Sequence, residues 1–443
     1  MHNIVYARAN RFAAPILEDG VRSLPSAVQC PQVPGMLEQA MGTGAITMQE
    51  DCLTLNVFAP EPRSKNLPVL VWIHGGAFTN GTANASWYDG GNLARRGCVV
   101  VAINYRLGAF GFAGPTDLGI QDQIAALRWV RRNVERFGGN PDNVTIFGES
   151  AGGCSVMTLY ACQDAKDLFQ RGWAMSPSLG QLRTTERAEE SMRLLVAELG
   201  ETSIADLASK STTEIIEAQG RLLRDPKDVV TMFSPTIGGR LVSGDAHRAM
   251  ALDERPLVIG TMRDESRLWV ALHPDSQTLS VDGAKEHFAA RFGSDTDDAW
   301  LTYQRLRPNS TPAQLVAAMQ SDESFRVHAW RVIDARDQAG TPTWSYFFTW
   351  PTPVFGGILG ACHGLDIPFV FDNITAPNVE HFIGVSTAHR HLASSMANSL
   401  VQFATSGSVE WQPTEGKRTV LQIDERNDVV VDPERPLYDL WNR

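Results

Sequence analysis

The stretch Gly148-Glu149-Ser150-Ala151-Gly152 sets one serine between two glycines, directly after the apolar run Asn143-Val144-Thr145-Ile146-Phe147 and ahead of a helix-forming segment. With G-x-S-x-G spacing between a strand and a helix, the serine takes a strained turn that lifts its hydroxyl clear of the sheet. Positions two before and two after the serine crowd that turn, so Gly148 and Gly152 are required there. The chemistry is nucleophilic: Oγ of Ser150 attacking a carbonyl. The Ala151 N–H, at the helix start, points to where an oxyanion would form. A second turn, His74-Gly75-Gly76-Ala77-Phe78, follows the apolar run 68–73 and can present the N–H groups of Gly75 and Gly76 to the same oxyanion.

A serine nucleophile needs a base and an acid on neighbouring loops. In folds that carry this elbow the order along the chain is serine, then carboxylate, then histidine. The apolar run 255–260 is followed by Thr261-Met262-Arg263-Asp264-Glu265-Ser266, which offers two carboxylates, Asp264 and Glu265. Among ten histidines, His273 and His287 lie in polar surroundings, whereas His363 follows the aromatic run 344–350 and a Pro/Gly-rich loop.

The elements that would position these groups are readable in outline. Segments 68–73, 98–105, 143–147 and 255–260 are continuous apolar runs, the pattern of strands buried on both faces. Ile120, Ile124, Leu127, Val130 (or Val134) and Phe137 form one helical stripe, closed by Gly138 and Gly139. Strand, helix and buried strand in alternation predict a parallel sheet with right-handed crossovers, an α/β fold. Segment 344–350 is a late strand and 394–407 a closing helix. Without repeats or a low-complexity linker, one domain over 1–443 is expected, with helical insertions at about 181–250 and 275–340.

The net charge of −11, without a Lys/Arg block, argues against nucleic acid as a partner. No run of about 18 apolar residues occurs, so no membrane span is expected, and without a signal-peptide pattern the expected compartment is the cytoplasm. The six cysteines form no CxxC pair, which argues against zinc or a redox centre. Triplets such as Asn84–Ser86 are read as chance matches to a glycosylation signal.

The segments 50–60 (EDCLTLNVFAP), 74–78, 104–112 (NYRLGAFGF), 122–153 and 363–371 (HGLDIPFVF) resemble the type-B carboxylesterase family, which includes p-nitrobenzyl esterases and cholinesterases. The likeness runs through most of the chain and is weakest at 181–230 and 275–340. It implies an α/β-hydrolase fold, hydrolysis of a small-molecule carboxylic ester through an acyl-enzyme, and no cofactor or metal. It maps the catalytic residues to Ser150, Glu265 and His363, leaving Asp264 as the rival acid, and the oxyanion hole to Gly75, Gly76 and Ala151. Alternatives are an amidase or carbamate hydrolase with the same triad, and a non-catalytic binding relative.

The resemblance carries further expectations. Ser176 is similar to a family serine that supports the triad acid, with Pro177 in place of glycine. Glu149 is expected to point away from Oγ. Trp269, Trp350 and Phe355 flank the acid and base loops and line either a substrate pocket or the core. Secreted relatives pair an upstream cysteine with that of EDCLxLN, which would join Cys30 to Cys52, whereas a reducing compartment would leave six thiols. Cys362 precedes His363, so a reagent reaching it would disturb the base. The segment Ile4–Ala7 is similar to the family's "IPYA" stretch, so the usual N-terminal edge hairpin is expected to be absent. The 37–52 stretch lacks the aromatic residue of cholinesterases, so a choline-selective site is not expected.

Overall fold

In the strand Leu67–Ile73, alternate side chains feed two opposite cores: Val69, Val71 and Ile73 enter one, Leu70 and Trp72 the other. That two-sided burial is why the run is apolar without alternation. The computed structural model describes residues 1–443 apart from 34, 62–63, 225–230, 243 and 272. Its main sheet has ten strands: β1 (Ile4–Val5), β2 (Thr54–Phe58), β3 (Leu67–Ile73), β4 (Val99–Ile103), β5 (Gly139–Glu149), β6 (Arg171–Met175), β7 (Leu257–Met262), β8 (Thr343–Phe348), β9 (Thr419–Ile423) and β10 (Asp428–Val431). The spatial order is β1-β2-β4-β3-β5-β6-β7-β8-β9-β10. Neighbours from β4 through β9 are parallel, and only β1–β2, β2–β4 and β9–β10 are antiparallel. This is the α/β-hydrolase architecture.

The topology decides where chemistry can occur. Because β3, β5, β7 and β8 run parallel, the segments after Ile73, Glu149, Met262 and Phe348 leave the sheet along one edge. The helix Leu118–Asn133 carries the expected stripe, and a short 3₁₀ turn extends it to Gly138 at φ 88°. The helix Ala151–Tyr160 is buried along its whole length. The closing helix starts earlier than expected, at His389, and ends before Gly407 at φ 77°.

Both insertions are helical. The first contains Thr185–Glu198, Thr212–Leu222 and Ala246–Leu252 between β6 and β7, with 225–230 and 243 outside the described residues. The second lies between β7 and β8 and builds a small core of its own from Phe288, Trp300, Tyr303 and Leu315 with Leu437 and Trp441. Its helix Pro312–Ser321 passes through a π-helical turn, Asp322–Arg326, before Val327–Ala339. Among the described residues no helix is long and apolar enough to cross a membrane.

One feature adds to the sequence reading and one differs from it. Ile4–Val5 itself takes the sheet edge by pairing with Leu55 and Thr54. Cys30 and Cys52 are bonded, so the six reduced thiols favoured by a reducing compartment are not what the fold contains; Cys98, Cys154, Cys162 and Cys362 are free and buried. The bridge spans 22 positions. A loop of that size contributes about 3 kcal/mol by the chain-entropy estimate. Thiol titration under denaturing, non-reducing conditions should therefore count the four unpaired cysteines. A count of six would show that the bridge is absent.

Candidate active site

Ser150 sits at φ 59° and ψ −120°, between the end of β5 and the helix Ala151–Tyr160. A non-glycine residue holds such a conformation only where its surroundings impose it. Those surroundings are backbone. A Cβ on Gly152 would lie 2.0 Å from the Ile73 carbonyl oxygen, and one on Gly148 would lie 2.7 Å from it. Gly153 is as tight against Met175, at 2.5 Å. The Ser150 N–H donates to the Met175 carbonyl at 3.0 Å, which ties the elbow to β6. Ser150 itself is partly exposed.

The turn after β3 lies directly against the elbow: a Cβ on Gly75 would be 3.1 Å from the Ser150 Cβ. Gly76, Ala77 and Phe78 follow at φ 106°, 50° and 61°. Among the described residues the backbone N–H groups of Gly75, Gly76, Ala77 and Ala151 have no hydrogen-bond acceptor. Gly75 is buried, whereas Gly76 and Ala77 are partly exposed. Ala77 therefore joins the possible oxyanion donors; the sequence reading passed over it because it is not a glycine. His74 anchors the turn. Its ring stacks on Tyr105 at 4.5 Å, Tyr105 Oη donates to the His74 carbonyl at 2.9 Å, and burial pulls the imidazole down to about 4, which keeps it neutral.

The two rival carboxylates separate cleanly. Glu265 Oε2 lies 2.6 Å from His363 Nδ1, and its Oε1 accepts the Met262 N–H at 2.8 Å. Asp264 faces the other way. It lies 3.0 Å from Arg263 Nε and 3.3 Å from Arg267 Nε, and it accepts the Ala361 N–H at 3.0 Å. Desolvation raises the Asp264 carboxyl, but the Arg263 and Arg267 charges outweigh it and hold it below its ordinary value. The Asp264 cluster fixes the loop, and of the two carboxylates only Glu265 contacts the imidazole.

Glu149 departs from expectation. Its Oε1 lies 3.0 Å from His363 Nε2, the ring nitrogen opposite the one that meets Glu265. The approach is a charge contact and not an aligned hydrogen bond, since both atoms are buried without a hydrogen-bond partner. Burial alone would lower His363, but Glu149 and then Glu265 reverse this and push it up to about 10. No sequence pattern signals such a contact, because residue alternation around Ser150 places its neighbour on the far side. The Glu149 carboxylate instead meets the His363 ring at Nε2.

The remaining expectations sort by burial. Ser176 Oγ has no hydrogen-bond partner, and its N–H donates to the Gly260 carbonyl at 2.8 Å. Support of Glu265 by this serine is therefore not seen; the backbone at φ 40°, ahead of Pro177, turns elsewhere. Trp350 is core, packed on Phe369 and His389. Trp269 is 49% exposed and lies 5.1 Å from the His363 ring, and Phe325, from the π-helical turn, lies 4.7 Å from it. Phe355 projects into solvent. Cys362 is fully buried, and burial raises its thiol strongly, so an alkylating reagent neither reaches nor finds a reactive sulfur there.

Comparison with known proteins agrees with this geometry. The carboxylesterase family profile matches residues 3–441. The chain is 34% identical to the para-nitrobenzyl esterase of Bacillus subtilis (strain 168), over 96% of this chain and 90% of that protein. It is 33% identical to a phenmedipham hydrolase of Pseudarthrobacter oxydans, over 79% of this chain and 72% of that protein. Among solved structures, a thermophilic PNB esterase superposes with a TM-score of 0.84 at 31% identity, over 99% of this chain and 95% of the other. A family profile spanning nearly the whole chain, on a sheet whose one edge gathers serine, glutamate and histidine, places this protein in the carboxylesterase family, as a carboxylic ester hydrolase of the α/β-hydrolase fold.

Proposed function

We propose that Ser150, His363 and Glu265 are the catalytic triad of this carboxylesterase, and that the Gly76, Ala77 and Ala151 N–H groups form its oxyanion hole, with Gly75 behind them. The observation that carries the assignment is the 2.6 Å contact of His363 Nδ1 with Glu265, one loop away from a partly exposed serine at an elbow. In the reaction, His363 Nε2 takes the Ser150 proton as Oγ bonds to the ester carbon, and the carbonyl π electrons move to the oxygen. The free N–H groups stabilise that charge, each worth ~3 kcal/mol of barrier. The C–O bond to the alcohol then breaks as imidazolium returns the proton. Water, activated by the same histidine, releases the acid from Ser150.

Nε2 faces Glu149 in the free enzyme and must turn to Oγ when substrate binds, since such hydrogen bonds tighten in the Michaelis complex. The bonded Cys30–Cys52 pair favours an oxidising compartment over the cytoplasm expected from sequence. A panel of p-nitrophenyl esters against the matching anilides and carbamates tests the substrate class; faster anilide or carbamate turnover would move the reading to an amidase or carbamate hydrolase.

Ser150→Ala and His363→Ala should each lower ester turnover by ~10⁴-fold with the fold retained, and the double variant should be hardly worse. Retention of a tenth of the activity by Ser150→Ala would remove it as the nucleophile.

Glu265→Gln should cost far more turnover than Asp264→Asn, whose loss should appear instead as a lower melting temperature. The reverse ranking would make Asp264 the orienting acid.

The pH profile follows from the two carboxylates facing His363. Both favour imidazolium, so the limb of kcat/KM that reports deprotonation of His363 should lie above the ordinary histidine value. Glu149→Gln removes one negative charge, makes imidazolium less stable, and should move that limb to lower pH. A stopped rate-versus-pH series on both proteins would show this, and an unmoved limb would mean that Glu149 does not act on His363.

A further inference from the structure

The loop closed by Cys30 and Cys52 reaches the oxyanion turn at two consecutive residues. Gln32, buried to 2% exposure, grips both backbone groups of Gly81: the Gly81 N–H donates to Oε1 at 2.7 Å, and Nε2 donates to the Gly81 carbonyl at 2.9 Å. Next to it stands Asn80. Its side-chain amide lies among acceptors, and the assignment that satisfies them puts the nitrogen inward, where it reaches Glu38 Oε1 at 3.0 Å and Oε2 at 3.2 Å and the Gly76 carbonyl at 3.1 Å. The Asn80 and Thr79 backbone N–H groups donate to that same carbonyl, at 3.0 and 2.9 Å. Glu38, in the short helix Met36–Ala40, is buried, burial raises its carboxyl, and among the described residues no cation offsets this. A Cβ on Gly35 would lie 2.5 Å from Glu38 Oε2, so the loop makes room for this carboxylate.

A buried carboxylate without a cation is costly unless hydrogen bonds compensate it. The turn it reaches is one that needs holding: Gly76, Ala77 and Phe78 have positive φ in succession, and two of them carry side chains. The Gly76 carbonyl and the Ala77 N–H belong to one planar trans peptide, so they point in opposite directions. Pinning the carbonyl towards Asn80 therefore aims the Ala77 N–H away from Asn80.

We propose that Glu38, acting through Asn80, is a positioning residue that holds the Gly76–Ala77 peptide so that the Ala77 N–H meets the oxyanion. This rests on the oxyanion role assigned above. Gln32 is the second anchor, and the Cys30–Cys52 bridge keeps both anchors in place.

The test uses the full-length protein with a p-nitrophenyl ester and an aryl trifluoromethyl ketone. Addition of Ser150 Oγ to the ketone carbon, with the serine proton passing to His363, yields a hemiketal oxyanion that occupies the hole. Loss of a whole donor costs ~10²–10³-fold, so misalignment of one should cost about tenfold. Glu38→Ala and Asn80→Ala should each lower kcat by about tenfold, with KM within about twofold and the ketone bound weaker by the same factor as kcat. The double variant should be no worse than either single. Glu38→Gln keeps an oxygen acceptor for Asn80 and should restore most of kcat. If Glu38→Ala does not fold, Asn80→Ala alone carries the comparison, because Asn80 is only partly buried.

Unchanged kcat and ketone affinity in folded Glu38→Ala or Asn80→Ala would overturn the proposal, as would a loss confined to KM. Equal loss in Glu38→Gln would assign the effect to charge and would also overturn the hydrogen-bond role. The underlying assignment is read separately in the wild type. If it binds the trifluoromethyl ketone no better than the methyl ketone, the oxyanion reading fails, and Glu38 with it.

Discussion

The contact on which the site depends is backbone against backbone. The elbow at Ser150 presses on the end of β3 so closely that a single added carbon on Gly152 would sit 2.0 Å from the Ile73 oxygen. Protein interiors do not absorb such an overlap without moving main chain. One approach thus fixes the serine and the oxyanion turn together, since that turn begins where β3 ends. The parallel neighbours β6, β7 and β8 then bring the acid and base loops to the same edge.

Upon that frame the electrostatics are arranged by burial. His363 is enclosed by Glu149, Glu265, Trp269 and Phe325, and the low-dielectric surroundings make each carboxylate act strongly on the ring. Asp264 shows the contrasting case. It is as buried as Glu265, but two arginines consume its charge, and it serves to hold the loop. Adjacent acids with identical backbone access acquire different roles from the partners that tertiary packing supplies.

The disulfide loop extends this arrangement to a segment distant in sequence. Gln32 and Glu38 belong to a stretch that contributes no main-sheet strand, yet they meet Asn80 and Gly81 just beyond the oxyanion turn. Gly35 marks where the two loops touch, since a Cβ there would lie 2.9 Å from the Asn80 side chain, whereas Gly76 and Gly81 let the turn close on itself, where a Cβ would meet Asn80 or His74.

The sequence by itself determined the parts governed by local or periodic rules. Continuous apolar runs announced β3, β4, β5, β7 and β8, a 3.6-residue stripe announced the helix from Leu118, and glycine spacing announced the elbow at Ser150. Long motif blocks in the right order were enough to name Ser150, Glu265 and His363. Short edge strands such as Asp428–Val431, largely exposed and without strong pattern, were not legible. The tertiary structure alone decided that Glu149 meets His363 at Nε2, that Ser176 makes no hydrogen bond to Glu265, and that Cys30 and Cys52 are bonded. Each of these depends on the distance between residues far apart along the chain. Periodicity reports which face a side chain occupies, but only the packed backbone sets what stands opposite it.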